Sequence, residues 1–327
     1  MKLLTARERY QRKPFLKVAV TGHSGAGKTD WAARSPRPLI LLTEVQAMPS
    51  IVVANPDALV IPIERWDDFR EAFDAVKQGR PTTITVDGEE QPALEVTIGG
   101  QTVAIQTLVL DTMTDLQRLA FNKMIKAEGP DGMDRLDFSE ANNNLSIDKH
   151  GVLISAAETI WQQQRAIPVN TVFLFMARDI QDDTGAKQTL PMLTGKSLPF
   201  SMGQYFNASG LAQVRRTDGG GLQHFIRWSS PSAAALTKPG PGWPSVTVNT
   251  RTPGETTLGS LLRFTFSDLS VASELHDAAT FVQTPVTIGK AATPAQPAPV
   301  QSSPVTSNST LAASQSASST TARRRRA

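Results

Sequence analysis

Eight consecutive residues have the types and spacing to hold a chain of phosphates: Gly22-His23-Ser24-Gly25-Ala26-Gly27-Lys28-Thr29. They fit G-x-x-x-x-G-K-[ST]. Gly22, Gly25 and Gly27 allow a tight turn whose N–H groups point inward at phosphate oxygens. Lys28 would reach the β- and γ-phosphates, and the Thr29 hydroxyl would hold a magnesium ion. All eight residues are therefore candidate ATP contacts, with Mg2+ as the accompanying ion and Thr29 as a metal ligand.

The flanking sequence supplies the elements such a loop needs. Before it, Phe15-Leu16-Lys17-Val18-Ala19-Val20-Thr21 is a β-rich apolar run that reads as a buried strand. After it, Asp30-Trp31-Ala32-Ala33-Arg34 makes a first helical turn, ended by Pro36.

A second candidate lies downstream. Thr107-Leu108-Val109-Leu110-Asp111 is an apolar strand ending in an acid. After a phosphate loop this is the expected form of the magnesium-site carboxylate, so Asp111 is a candidate metal residue. Taken alone, Asp111 could equally cap the helix that Thr112 to Lys126 predicts.

The remaining pattern predicts alternating strands and helices. Pro38 to Glu44 and Ala58 to Ile63 read as strands, and residues 66–78 as an amphipathic helix carrying Trp66, Phe69, Phe73 and Val76. Residues 82–106 break the alternation with short β runs and two turn signals, Asp87-Gly88 and Gly99-Gly100, which predict a small antiparallel insertion. Residues 128–144 are polar and loop-like. A second helix spans about Ser146 to Arg165, and Asn170 to Arg178 reads as a buried strand. Tyr205 to Val214 and Leu222 to Trp228 read as a hairpin closed at Gly219-Gly220-Gly221. The expectation is an α/β fold with a mostly parallel central sheet and flanking helices. In such sheets ligands bind at the carboxyl ends of the strands, where Thr21, Glu44, Asp111 and Arg178 should converge.

Charge is unevenly distributed. The net charge is +3, yet residues 1–17 carry six bases and one acid, and residues 285–327 carry five bases and no acid. The region between them is acidic, so the basic balance of the whole chain does not by itself imply nucleic acid. Within that region, residues 184–254 reverse the sign, with Asp218 alone against Lys187, Lys196, Arg215, Arg216, Arg227, Lys238 and Arg251. This is either a solvated basic face or a surface for phosphates, on DNA or on a neighbouring subunit's ATP. The chain has no cysteine, which excludes disulfides and thiolate chemistry and suits a reducing cytoplasm. No apolar run reaches the roughly 20 residues of a membrane helix. Residues 1–14 read as a basic extension and 15–284 as the folded domain. Residues 285–327 read as a disordered Pro/Ala/Ser/Thr-rich tail with a basic tip at Arg323 to Arg326.

Together, the stretches GHSGAGKT, PLILLTE, TLVLDTMTDL, NTVFLFMAR and LPMLTGKSLPFSMGQYFNASGLAQV resemble the RecA-like P-loop ATPases. They are most similar to the phage nucleotide-binding proteins that serve as single-strand-annealing recombinases. The resemblance covers roughly residues 15 to 240 and implies a RecA-like P-loop NTPase fold. It implies that Glu44 orients or deprotonates the attacking water, so that Glu44 and Lys28 are the catalytic residues, and that Asp111 serves the magnesium site. It places Arg178 where a γ-phosphate sensor stands and Lys238 where a basic residue reaches ATP across a subunit interface. Residues 179–204 fall where disordered DNA-binding loops lie. The implied function is an ATP-dependent single-stranded DNA binding or annealing protein. It would be a homo-oligomer, with a single-strand-binding protein as a possible partner, in the cytoplasm (a host's, if phage-encoded). A P-loop kinase or a helicase-type motor would use the same loop. A kinase would carry an arginine-rich lid, and none is recognisable in the sequence.

Overall fold

The computed structural model describes residues 15–128, 147–181, 185, 187–195, 197–229, 237–239, 243 and 245–249. The chain divides into Met1–Gln283 and Thr284–Ala327, and every described residue lies in the first unit. The expected basic extension, the polar stretch after 128 and the tail lie outside the described residues.

Six parallel strands form most of the main sheet, with the last of them in space, β3, at its edge: β1 (Lys17–Gly22), β2 (Pro38–Leu42), β3 (Leu59–Pro62), β7 (Thr107–Asp111), β8 (Asn170–Gln181) and β10 (Ala208–Arg216). β11 (Leu222–Arg227) and β12 (Val246–Asn249) continue it in antiparallel fashion, giving the order β12-β11-β10-β1-β8-β7-β2-β3. The central strands are apolar because both faces are covered. On one face lie α1 (Lys28–Ala33) and α2 (Met48–Ala54), with Trp31 and Ile51 packed on Val18, Val20, Ile40 and Leu42. On the other lie α3 (Trp66–Lys77), α4 (Met113–Glu128) and α5 (Ile147–Gln164). Their Phe69, Phe73, Leu116 and Trp161 pack with Leu39, Leu41, Leu108, Leu110, Phe173 and Phe175. The fold is thus α/β with a mixed, mostly parallel sheet between helical layers.

Local chemistry accounts for these elements. α3 starts where the Asp68 carboxylate accepts the Arg65 N–H at 2.8 Å, and its acids Asp67 and Asp68 sit in the first turn, where the helix dipole favours them. The insertion is a separate antiparallel sheet, β4 (Arg80–Val86), β5 (Glu89–Ile98) and β6 (Gln101–Ile105). It is seated by Leu94, Val96 and Ile105 in the same core as α3.

Three expectations are corrected. The strand expected to end at Arg178 runs on to Gln181 and pairs antiparallel with β9 (Lys187–Pro191). Residues 179–204 therefore contain a hairpin arm, a short helix α6 (Leu198–Ser201) and a 3-10 turn, rather than a run of open loop. The polar residues of this stretch suggest a loop, but Leu190, Leu193, Leu198 and Met202 are buried and anchor it. Finally, Tyr205 follows that turn and lies outside β10, and β12 is an unexpected strand. Among the described residues no helix is long and apolar enough to cross a membrane.

The Lys17 ammonium is buried at the end of the sheet opposite the loop, where Nζ donates to Ile167 O at 2.8 Å and Val169 O at 2.7 Å. Burial with no acid beside it pushes its pKa down to about 7. Between about pH 7 and the ordinary value of 10.5 the unfolded chain keeps a proton that the folded chain lacks, so stability rises with pH across that window. Below about pH 7 both states are protonated and this contribution is flat. The wild-type urea-unfolding free energy should rise by about 2 kcal/mol from pH 7 to 9, and Lys17→Met should remove the rise. Equal slopes in the two proteins would show that Lys17 titrates normally.

Candidate nucleotide site

The loop leaves β1 at Gly22 and enters α1 at Lys28. Gly25 and Gly27 hold φ of 74° and 83°, the left-handed conformation that favours glycine. The Ala26 N–H donates to His23 O at 3.2 Å, and the Trp31 N–H to Gly27 O at 3.1 Å. Lys28 is 6% exposed. Its Nζ curls back over the loop, donating to Gly22 O at 2.8 Å and His23 O at 2.9 Å, and lies 3.7 Å from Met176 Sδ. Burial lowers its pKa, while Asp111 and then Glu44 pull in the opposite direction.

Thr29 Oγ1 donates to Asp111 Oδ2 at 2.6 Å. Asp111 ends β7, two strands from β1, with β8 between them. It is 1% exposed, and burial pushes its carboxyl up to about 6 against the opposing effects of the Thr29 hydroxyl and Lys28. The helix after β7 is capped by Thr112, whose Oγ1 accepts the Asp115 N–H at 3.2 Å and donates to Asp115 Oδ2 at 2.8 Å. The Asp111 carboxylate is therefore turned to the loop, and the helix does not use it as a cap.

Glu44 lies two residues past β2 and is exposed. A hydrogen-bonded clasp fixes its neighbour Thr43 to the end of β7. The Thr43 N–H donates to Asp111 O at 2.7 Å, Thr43 Oγ1 donates to the same oxygen at 3.0 Å, and the Thr112 N–H donates to Thr43 Oγ1 at 2.8 Å. Glu44 is near enough to act electrostatically on both Lys28 and Asp111.

The structure thus gathers Lys28, Thr29, Asp111 and Glu44 at one end of the sheet. Arg178 lies beyond Met176 in the overhanging part of β8, paired across to Leu190, with its Nε buried and unpartnered. Lys238 is tied within its own chain, where Nζ donates to Phe206 O at 3.0 Å and Gly203 O at 3.2 Å. Those bonds oppose the role of a basic finger reaching a neighbour.

The donor set suits a magnesium-bound triphosphate. A hydroxyl and one buried carboxylate converge, and among the described residues no group of three His, Cys, Asp or Glu side chains could hold a metal alone. A cation there would share its ligands with phosphate oxygens and water, as magnesium does. Sequence reasoning missed three participants: the Thr43 clasp, the Asp179 carboxylate 3.4 Å from His23 Nε2, and His224 packed on Gly27. Two left a trace: Thr43 falls in the strand expected over Pro38 to Glu44, and His224 is one of four histidines and falls on an expected strand.

The AAA domain family model matches residues 15–144. No curated protein matches the chain. Among solved structures, the crystal structure of flagellar accessory protein FlaH from Methanocaldococcus jannaschii is similar, at 11% identity and a TM-score of 0.32. That match covers 75% of this chain and 92% of that chain. A likeness of that size carries nothing over from FlaH. The family match and the loop agree that the chain carries a P-loop NTPase domain of the AAA type and is, broadly, an ATP-binding P-loop NTPase.

Proposed function

We propose that this protein is an ATPase that binds single-stranded DNA as a homo-oligomer and switches its DNA affinity with ATP. The observation that carries the ATPase reading is the contact between Thr29 and Asp111 beside the Lys28 cradle. Bound magnesium would neutralise charge on the β- and γ-phosphates. Thr29 and Asp111 would hold it. Lys28 would exchange its two loop carbonyls for phosphate oxygens. Glu44, exposed and fixed through Thr43, would accept a proton from the attacking water.

Support for DNA comes from the β10–β11 hairpin. Arg215 and Arg216 are exposed at the same end of the sheet as the loop, and the Arg215 guanidinium lies 5.7 Å over the Phe225 ring. Cations beside an aromatic ring are the parts that track a single strand. Support for assembly comes from α2 and the turn before it, where Val45, the residue after Glu44, and Val52 and Val53 on α2 are exposed.

The test is fluorescence anisotropy of a labelled single-stranded oligonucleotide titrated with the full chain, with and without Mg2+ and ATP. Binding should require ATP and weaken steeply with salt. Absence of DNA binding with ATP present would overturn the DNA reading and leave the ATPase reading standing.

A further inference from the structure

The β10–β11 hairpin reaches the phosphate loop as well as extending the sheet. Gly22 is in register with Ala212, so residues 213–216 of β10 run past the end of β1, and His224 pairs across to Val214 in that overhang. The packing is close at both ends of the loop. A β-carbon on Gly22 would meet Ala212 O at 2.8 Å. A β-carbon on Gly27 would meet His224 Nδ1 at 3.0 Å and His224 Cγ at 3.2 Å. The His224 imidazole therefore lies directly against the last glycine before Lys28.

That Nδ1 is buried and has no hydrogen-bond partner. Folded chains rarely keep such an atom unless something else partners it, and a nitrogen beside a phosphate-binding turn has an obvious partner in a phosphate oxygen. The sheet order adds a direction. Counting from β1, Asp111 on β7 stands two strands away on one side, and His224 on β11 stands two strands away on the other. Thr29 and Asp111 serve the first side. Nothing in the glycine-lysine motif serves the second.

We propose that His224 is a nucleotide-binding residue, whose Nδ1–H donates to a phosphate oxygen of the bound nucleoside triphosphate on the side of the loop away from Asp111. This inference rests on the nucleotide reading of the loop. It gives a reason for a polar side chain to be packed tightly on Gly27, where a β-carbon would lie 3.0 Å from Nδ1. It also ties the strand that follows Arg215 and Arg216 to the occupancy of the loop.

Two substitutions separate hydrogen bonding from packing. In His224→Leu the bulk remains and the donor is lost. In His224→Asn the amide nitrogen can occupy the place of Nδ1. The full-length wild type and both variants are titrated with a fluorescent ATP analogue in Mg2+, and each is melted without nucleotide. His224→Leu should keep the wild-type melting temperature and bind about ten-fold more weakly or worse, while His224→Asn should stay within about three-fold of wild type. Wild-type affinity in His224→Leu overturns the proposal. So does equal weakening of both variants together with lowered melting temperatures, which would mark His224 as packing only. A wild type that binds no nucleotide overturns this inference and the nucleotide reading together. Should His224→Leu fail to fold, 15N-histidine spectra of the wild type decide. The His224 Nδ1 resonance should shift on adding Mg2+-ATP, and an unmoved resonance overturns the proposal.

Discussion

Lys28→Ala should lose at least about a hundred-fold in ATP affinity while keeping its fold, because a hydrogen bond to a charged group is worth about 1.5–3 kcal/mol and this ammonium would make more than one. Its Nζ is held by Gly22 O and His23 O, and the Lys28 side chain is buried beneath a loop whose crest, His23 to Gly25, is exposed. Burial already works against the charge, and only Asp111 and Glu44 offset it. A triphosphate offers this cation far stronger acceptors than two neutral carbonyls, so the side chain is loaded for exchange. Alanine removes the donor and leaves the two carbonyls to water in an opened loop. The measurement is an equilibrium titration with a fluorescent ATP analogue, with circular dichroism as the folding control. Unchanged affinity in a folded variant would refute the assignment of the loop.

Glu44→Gln should act on turnover and spare binding. A positioned general base contributes about 10²–10⁴-fold, and glutamine keeps the shape while losing the basicity. Glu44 is solvent-exposed, and its position depends on the Thr43 clasp to Asp111 and Thr112. Phosphate release should therefore fall by about two to four orders of magnitude with the ATP dissociation constant nearly unchanged. If instead affinity falls and turnover per bound ATP stays the same, Glu44 serves the nucleotide and another group handles the water.

Much of this site was legible because its parts are local. The glycine loop is contiguous, its strand and helix flank it immediately, and Asp111 closes a short apolar run that reads as a buried strand. The β4–β6 insertion was legible from its alternation and paired turn signals. What escaped depends on pairing between distant segments. Thr43 is an ordinary polar residue until β2 and β7 lie side by side, and only then does it bridge two strand ends. His224 has no spacing relationship to Gly27, and the sheet order alone brings them together. The β8–β9 arm was hidden by its polar composition, because a strand that overhangs the core lacks the apolar signature of a buried one. Whether Asp111 caps a helix or faces the loop could not be settled from a five-residue strand. Thr112 decides it by taking the cap itself.

The proposed nucleotide chemistry requires that Thr29 and Asp111 form the ion side of a triphosphate site. The most direct test is calorimetric titration of the full chain with ATP, with Mg2+ and with excess chelator, on the wild type and on Asp111→Asn. The wild type should bind one ATP per chain more tightly with Mg2+, and Asp111→Asn should lose most of the difference between the two conditions. Wild-type binding that ignores Mg2+, or an Asp111→Asn variant that keeps the full magnesium dependence, would contradict it.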